Sequence, residues 1–264
     1  MKFFIEAVNL LGPGLNGWQQ SMPVLREEVE LTSLTMAPVE VHHLPANERR
    51  RMTATLKLSL AVLEEFIHTE SFNSTQTATV FASSCGDIEI ACNICQALTQ
   101  PDRPVSPTQF HNSVHNAAAG YWSIALKSNK PSTSISAYDS TFAAGLLEVA
   151  TLALTEQRQA LLVAYDQVPV APVGLVRKVT WPFATALLVS AEKTTRSLCE
   201  VSLHLHTGLQ DTVLKNKVLE SIRISNPAAR SLPLLKAIAD KASLELSLAY
   251  LDDSHVQLDI RRCN

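Results

Sequence analysis

Residues 131–146, PSTSISAYDSTFAAGL, read as a buried strand, a tight polar break and then a helix of small residues. In α/β enzymes such a strand-to-helix junction often presents a nucleophile, because a side chain there stands at the strand tip and the helix foot. Tyr138, Asp139 and Ser140 occupy this break. The elements on either side decide what kind of sheet the strand belongs to.

Upstream lies NSVHNAAAGYWSIALK, a small-residue helix in which Ala117, Ala118, Ala119 and Gly120 permit close backbone approach, against a neighbouring helix or across a subunit interface. Before it, TATVFASS is β-branched and uncharged and reads as a buried strand. A helix over 87–98 and a Pro-punctuated loop, TQPDRPVSPTQF, follow that strand. Asn47 is placed to cap a helix running through RRRMTATLKLSLAVLEEFIHT, with Met52, Leu56, Leu60, Leu63 and Ile67 on its apolar face. Residues 1–11 form a first strand, and a short helix is expected from Trp18 to Arg26. Downstream of the junction come the helix TFAAGLLEVATLALTEQ, the strand ALLVAYD and an extended VPVAPVGL. ATALLVSAE and LCEVSLHLHTG then read as two antiparallel strands. Uncharged strands alternating with helices predict an α/β sheet covered on both faces.

Glycine usage divides the chain. All eight glycines lie at or before Gly208. The remainder reads as one or two helices, TVLKNKVLESIR and LPLLKAIADKA, around Pro227 and then paired strands, LELSLAYL and VQLDIRR. Two segments are expected, 1–208 and a short 209–264 packed on it.

Composition excludes several classes. Of the 264 residues 46% are hydrophobic and 18% charged, which suits a globular chain. A formal net charge of −3 gives no field for nucleic acid. The N-terminus has one early Lys but no long apolar core, and no window reaches the ~18 uncharged apolar residues of a membrane span. The reading is a soluble cytoplasmic protein whose five cysteines stay reduced. Cys92 and Cys95 form C-N-I-C, but no second pair at zinc spacing accompanies them, and both thiols fall on the apolar side of a helical period. Core packing is expected, with no metal and no cofactor.

Across SPTQFHNSVHNAAAGYWSIALKSNKPSTSISAYDSTFAAGLLEVA the chain resembles β-ketoacyl synthases of the thiolase-like fold. Ser106–Pro107, Asn116, Ala119–Gly120, Ser123–Ile124, Pro131–Ser132 and Ile135 match that family's central motifs in order. LPANERRRMTATLKLSLAVLEE looks like its Arg-rich helix start, ATVFASSCGD like its Gly-rich strand end with Ala and Ser in place of glycines, and FATALLVSAEKTTRSLCEVSLHLHTG like the hairpin that ends the first half of such enzymes. The likeness covers residues 1–208. It implies a thiolase-like mixed sheet corresponding to the N-terminal half of a ketosynthase, with a shortened, degenerate C-terminal half.

Two departures set the functional expectation. Counted without gaps from Pro131, the family's cysteine falls on Asp139; a slip of one residue puts Tyr138 there, and neither forms a thioester. The family's second half supplies two further catalytic residues, usually histidines, whereas the only histidine after Gly208 is His255. No catalytic residue is therefore assigned. The chain is similar to the shortened chain-length-factor-like subunit of aryl polyene biosynthesis. That resemblance implies a heterodimer with a full-length β-ketoacyl-ACP synthase, and an acyl carrier protein as an indirect partner. Carried over by position, Gln109, Phe110, Val114, His115 and Asn116 are candidates to line or plug the partner's tunnel. Tyr138 and Asp139 are candidate contacts too, although an Asp at such a junction is most simply an N-cap. Phe142 would block the vestigial pocket or simply pack.

Two other readings stay open. Ser84 or Cys85 with His111 or His115 would make an acyltransferase or thioester hydrolase if a base lies within hydrogen-bond reach. The i,i+4 spacing of the two histidines would also suit a metal on one helical face, though Pro107 argues against a preformed helix there. A free-standing carrier-protein-binding module is the other, with Arg49–Arg51, Lys127 and Lys130 as attracting charges or ordinary solvated ones.

Overall fold

The structure, a computed structural model, describes residues 1–67 and 72–263. The strands are β1 (Lys2–Gly12), β2 (Leu15–Asn16), β3 (Ala78–Ala82), β4 (Ser132–Ile135), β5 (Ala160–Asp166), β6 (Phe183–Ser190), β7 (Cys199–Thr207), β8 (Leu244–Ala249) and β9 (Ser254–Arg262). The helices are α1 (Trp18–Leu25), α2 (Ala46–Arg51), α3 (Ala54–Ala61), α4 (Glu64–Ile67), α5 (Ile88–Leu98), α6 (Pro107–Asn112), α7 (Ala117–Leu126), α8 (Thr141–Glu156), α9 (Lys217–Ser225) and α10 (Leu232–Ala239).

All nine strands join one mixed sheet in the order β4-β3-β5-β6-β1-β7-β9-β8, with β2 paired to β1. β4, β3 and β5 run parallel, and the remaining pairings are antiparallel. The period of two along a strand splits the core into two layers. In β5, Leu162 and Ala164 face a layer with α8 and α10, while Leu161, Val163 and Tyr165 face a layer with α3 and α7. The uncharged strands are thus covered on both faces.

Gly145 seats α8 directly on the parallel strands. A Cβ there would stand 2.8 Å from Leu162 and 2.9 Å from Ala82, so only glycine allows this approach. That close seating fixes where the β4–α8 junction points.

Four local expectations are corrected. The helix expected from Asn47 onward is interrupted at Met52, which is extended, and α3 restarts with the Thr53 side chain accepting from the Leu56 N–H. A hydroxyl that caps competes with helix continuation, and the in-phase apolar spacing hides the break. The last residues of that expected helix, His68 and Thr69, lie outside the described residues. β6 and β7 are not a hairpin, because β1 lies between them and pairs with both. The segment before Asn112 is helical after all, since Ser106 caps α6 and Pro107 opens it. Cys92 is buried as expected, but Cys95 is exposed.

Residues 209–263 contribute α9, α10, β8 and β9, and β9 extends the sheet by pairing along β7. The outer side of β8 is covered by its own chain. Thr212 N–H donates to the Ser247 carbonyl, Ser247 N–H donates to the Thr212 hydroxyl, and Ala249 N–H donates to Asp211. β4, the other end of the sheet, is an open edge.

Candidate functional site

The junction after β4 is a strained elbow. Tyr138 adopts φ +52°, a left-handed conformation that costs a non-glycine residue about 1–2 kcal/mol. Its neighbours hold it there: Ala137 N–H donates to the Thr141 hydroxyl, which donates to the Tyr138 carbonyl at 2.7 Å. Ser136 Oγ donates to the Ser84 carbonyl, tying the elbow to the end of β3. The turn lifts the Tyr138 ring outward, 62% exposed, while Asp139 follows in a 3₁₀ turn over Tyr138–Ser140. Of the two residues between which the sequence could not choose, Tyr138 holds the strained apex.

Arg177 organises this elbow. Its guanidinium lies 3.8 Å from the centre of the Tyr138 ring and its Nη1 is 2.6 Å from Asp139 Oδ1. The residue is buried, and neither its Nε nor its Nη2 has a hydrogen-bond partner. Burial disfavours its charge, but the Asp139 carboxylate more than offsets this, with a further contact from the Cys85 sulfur. Asp139 is therefore an ion-pair partner, not a side-chain cap of α8.

Behind the elbow, the ends of β3 and β5 build a polar knot. Asp166 Oδ1 accepts from Ser83 Oγ at 3.1 Å, Ser84 N–H at 2.8 Å and Ser84 Oγ at 2.8 Å. Its Oδ2 is buried with no partner. Burial pushes the Asp166 carboxyl up to about 6, against the pull of the Ser84 hydrogen bonds. His115 places Nε2 3.1 Å from the Ser83 carbonyl and so donates there. Ser84 spends its proton on a carboxylate, and among the described residues no hydrogen bond joins Ser84 or Cys85 to a histidine. Among the described residues, Ser84 and Cys85 thus lack the hydrogen-bonded base that a nucleophile–base pair needs. No group of three metal-ligating side chains forms among the described residues.

The other candidates divide by exposure. Phe110 is 67% and Val114 52% exposed, one on α6 and the other in the turn that follows, with Asn116 exposed and Gln109 and His115 half-buried. On α7, Ala118 and Ala119 face inward, whereas Gly120 has open space where a Cβ would stand and Ile124 is exposed. Leu175 and Val176, next to Arg177, are also exposed. Phe142 is fully buried in the core and projects no blocking group to the surface. Sequence reading did not find Arg177 or Asp166. Arg177 lies just after the extended VPVAPVGL, in a stretch to which no element was assigned, and nothing local marks an arginine there as buried.

Comparison with known proteins places this geometry. The family model for the β-ketoacyl synthase, N-terminal domain matches residues 18–247, and the chain belongs to that family. No curated protein sequence matches it. Among solved structures it is similar to that of a ketosynthase (ApeO) in complex with its chain length factor (ApeC) from Xenorhabdus doucetiae. That match has TM-score 0.75 and 21% identity over 98% of this chain and 99% of that one. The ishigamide ketosynthase/chain length factor gives TM-score 0.73 and 12% identity, covering all of both chains. A type II ketosynthase complex with its acyl-carrier protein, AntDE:AntF, gives TM-score 0.76 and 10% identity over 99% of each chain. The fold is thiolase-like, as expected. No described helix is long and apolar enough to cross a membrane.

Proposed function

We propose that this member of the β-ketoacyl synthase N-terminal-domain family is a non-catalytic, chain-length-factor-like partner of a full-length β-ketoacyl-ACP synthase. In this reading it stabilises the heterodimer and shapes the tunnel in which a polyene-like or fatty-acid-like acyl chain grows. The observation that carries it is the β4 edge. Thr79 N–H and Ser83 N–H donate to the Pro131 and Ile135 carbonyls, so the alternation of a parallel ladder turns the N–H and C=O of Ser132 and Ser134 outward. An open edge of this kind is a template for strand addition. Exposed Tyr138 follows β4 and exposed Ile124 lies on α7, which packs against β4, while His115 ties the segment bearing exposed Phe110 and Val114 to the end of β3.

A residue at the elbow that cannot form a thioester fits the same reading. Tyr138 takes the nucleophile's place, and Arg177 closes over it. Phe110, Val114 and Tyr138 are then the side chains offered to the partner's tunnel, with Gln109, His115 and Asn116 supporting them. An acyl carrier protein meets this subunit only through the complex.

Light scattering after size exclusion tests the proposal, on the chain alone and co-expressed with a full-length ketosynthase. A stable 1:1 complex is expected, with the lone chain poorly behaved. A well-behaved monomer that ignores the ketosynthase overturns it.

A further inference from the structure

A cavity of about 240 Å³ lies between the elbow and the C-terminal segment. Its apolar walls are Phe142 and Ala143 at the start of α8 and Leu248 and Ala249 on β8. Three charged side chains reach it: Asp139, Asp211 and Arg230. The two acids have arginines of their own. Asp139 is held at 2.6 Å by Arg177, and Asp211 Oδ2 at 2.6 Å by Arg223. Asp211 Oδ1 in addition accepts the Ala249 N–H. Arg230 reaches only the already engaged Asp211 Oδ2, at 3.4 Å. Ser140 turns its hydroxyl away to the Tyr250 carbonyl, so it offers no competing donor.

We propose that this cavity binds a small organic carboxylate, with the Arg230 guanidinium on the carboxylate and the apolar body against Phe142, Ala143 and Leu248. Guanidinium and carboxylate pair through charge-assisted hydrogen bonds, and they do so best where water is excluded. Arg230 shares its acceptor, Asp211 Oδ2, with the closer Arg223. Burial, and then the like charge of Arg223, disfavour its protonated form more than the nearby acids favour it. The volume matches about eight waters at ~30 Å³ each, enough for a body of about six carbons and a carboxylate. The inference goes beyond the partner-subunit reading and stands without it.

Titration calorimetry on the full chain, alone or co-purified with a ketosynthase, tests it with hexanoate and benzoate as probes. Hexanol and benzyl alcohol serve as neutral isosteres. Saturable 1:1 binding of the acids is expected, with the alcohols at least roughly tenfold weaker, because the charge-assisted hydrogen bonds are lost. Arg230→Leu is expected to weaken the acids by a similar factor; Arg223 and Asp211 still pair in this variant, which preserves the fold there. Ala249→Phe, at an exposed position on the rim, fills the cavity while leaving all three charged side chains in place and is expected to abolish binding. The proposal is overturned by absence of saturable binding to the wild type, by alcohols that bind as tightly as the acids, or by unchanged affinity in both variants.

Discussion

At the β8 edge the chain covers its own outermost strand; at the β4 edge it does not. Asp211 and Thr212 lie along β8 and take up the backbone groups of Ser247 and Ala249. Among the described residues, no hydrogen bond is made by the outward N–H of Ser132 or Ser134. Two buried arginines repeat the contrast. Arg223, near β8, commits Nε and Nη2 to Glu220 and Nη1 to Asp211. Arg177, near β4, makes its one ion pair among the described residues through Nη1, to Asp139, and its Nε and Nη2 find no hydrogen-bond partner there. One end of the sheet is finished within the chain, and the other keeps exposed backbone and apolar groups that a second chain would satisfy.

The contrast breaks first at Ser134. Proline there removes an N–H that faces the open edge and spares the ladder to β3, so the subunit should still fold. Affinity for a ketosynthase is expected to fall at least roughly a hundredfold, read by co-purification and surface binding, because the ring also blocks strand addition. A complex that forms normally would remove β4 from the interface.

Asp211→Ala attacks the finished end. It strips one acceptor from buried Arg223 and frees the Ala249 N–H, and a loss of about 3 kcal/mol in urea unfolding is expected. Ketosynthase affinity should change little.

Asp166 gives a pH signature at the β4 end. Its folded carboxyl lies at about 6, above its ordinary 3.8, so the folded state binds the proton more tightly than the unfolded chain. Its contribution to stability is present below the ordinary value and is lost as pH rises through about 6. Comparing wild type with Asp166→Asn at each pH isolates this contribution. The difference should move by about 2 kcal/mol in favour of the wild type as pH falls from about 7 to about 4. A flat difference would mean the carboxyl is not held uncompensated. Thr212→Val is the mildest test: it leaves the Ser247 N–H without its hydroxyl acceptor and should cost about 1 kcal/mol, read by the same unfolding curves.

Much of this was legible because it was local. The β-branched TATVFASS and the apolar ALLVAYD became the buried strands β3 and β5, the small-residue helix after the break became α8, and the end of the tail became the paired strands β8 and β9. What failed was long-range or hidden by phase. β1 separates β6 from β7 through pairings almost two hundred residues apart in sequence, for which no local signal exists. The break at Met52 leaves the apolar spacing unchanged on both sides. At the site, the strand-to-helix junction was readable, but Arg177 was not. Its burial depends on Asp139 and Tyr138, which the fold brings to it from another element. Cys95 looked like core and lies on the surface, as does Leu98 on the same helix, so the apolar face of α5 is wider than the part that this chain covers.

The most direct test of the central claim is amide hydrogen exchange across both edges, with and without a bound ketosynthase. The amides of Ser132 and Ser134 should exchange fast in the free chain and become strongly protected in the complex, while those of Ser247 and Ala249 stay protected throughout. A complex that leaves Ser132 and Ser134 exchanging freely, or protects new amides only along β8, would contradict the account.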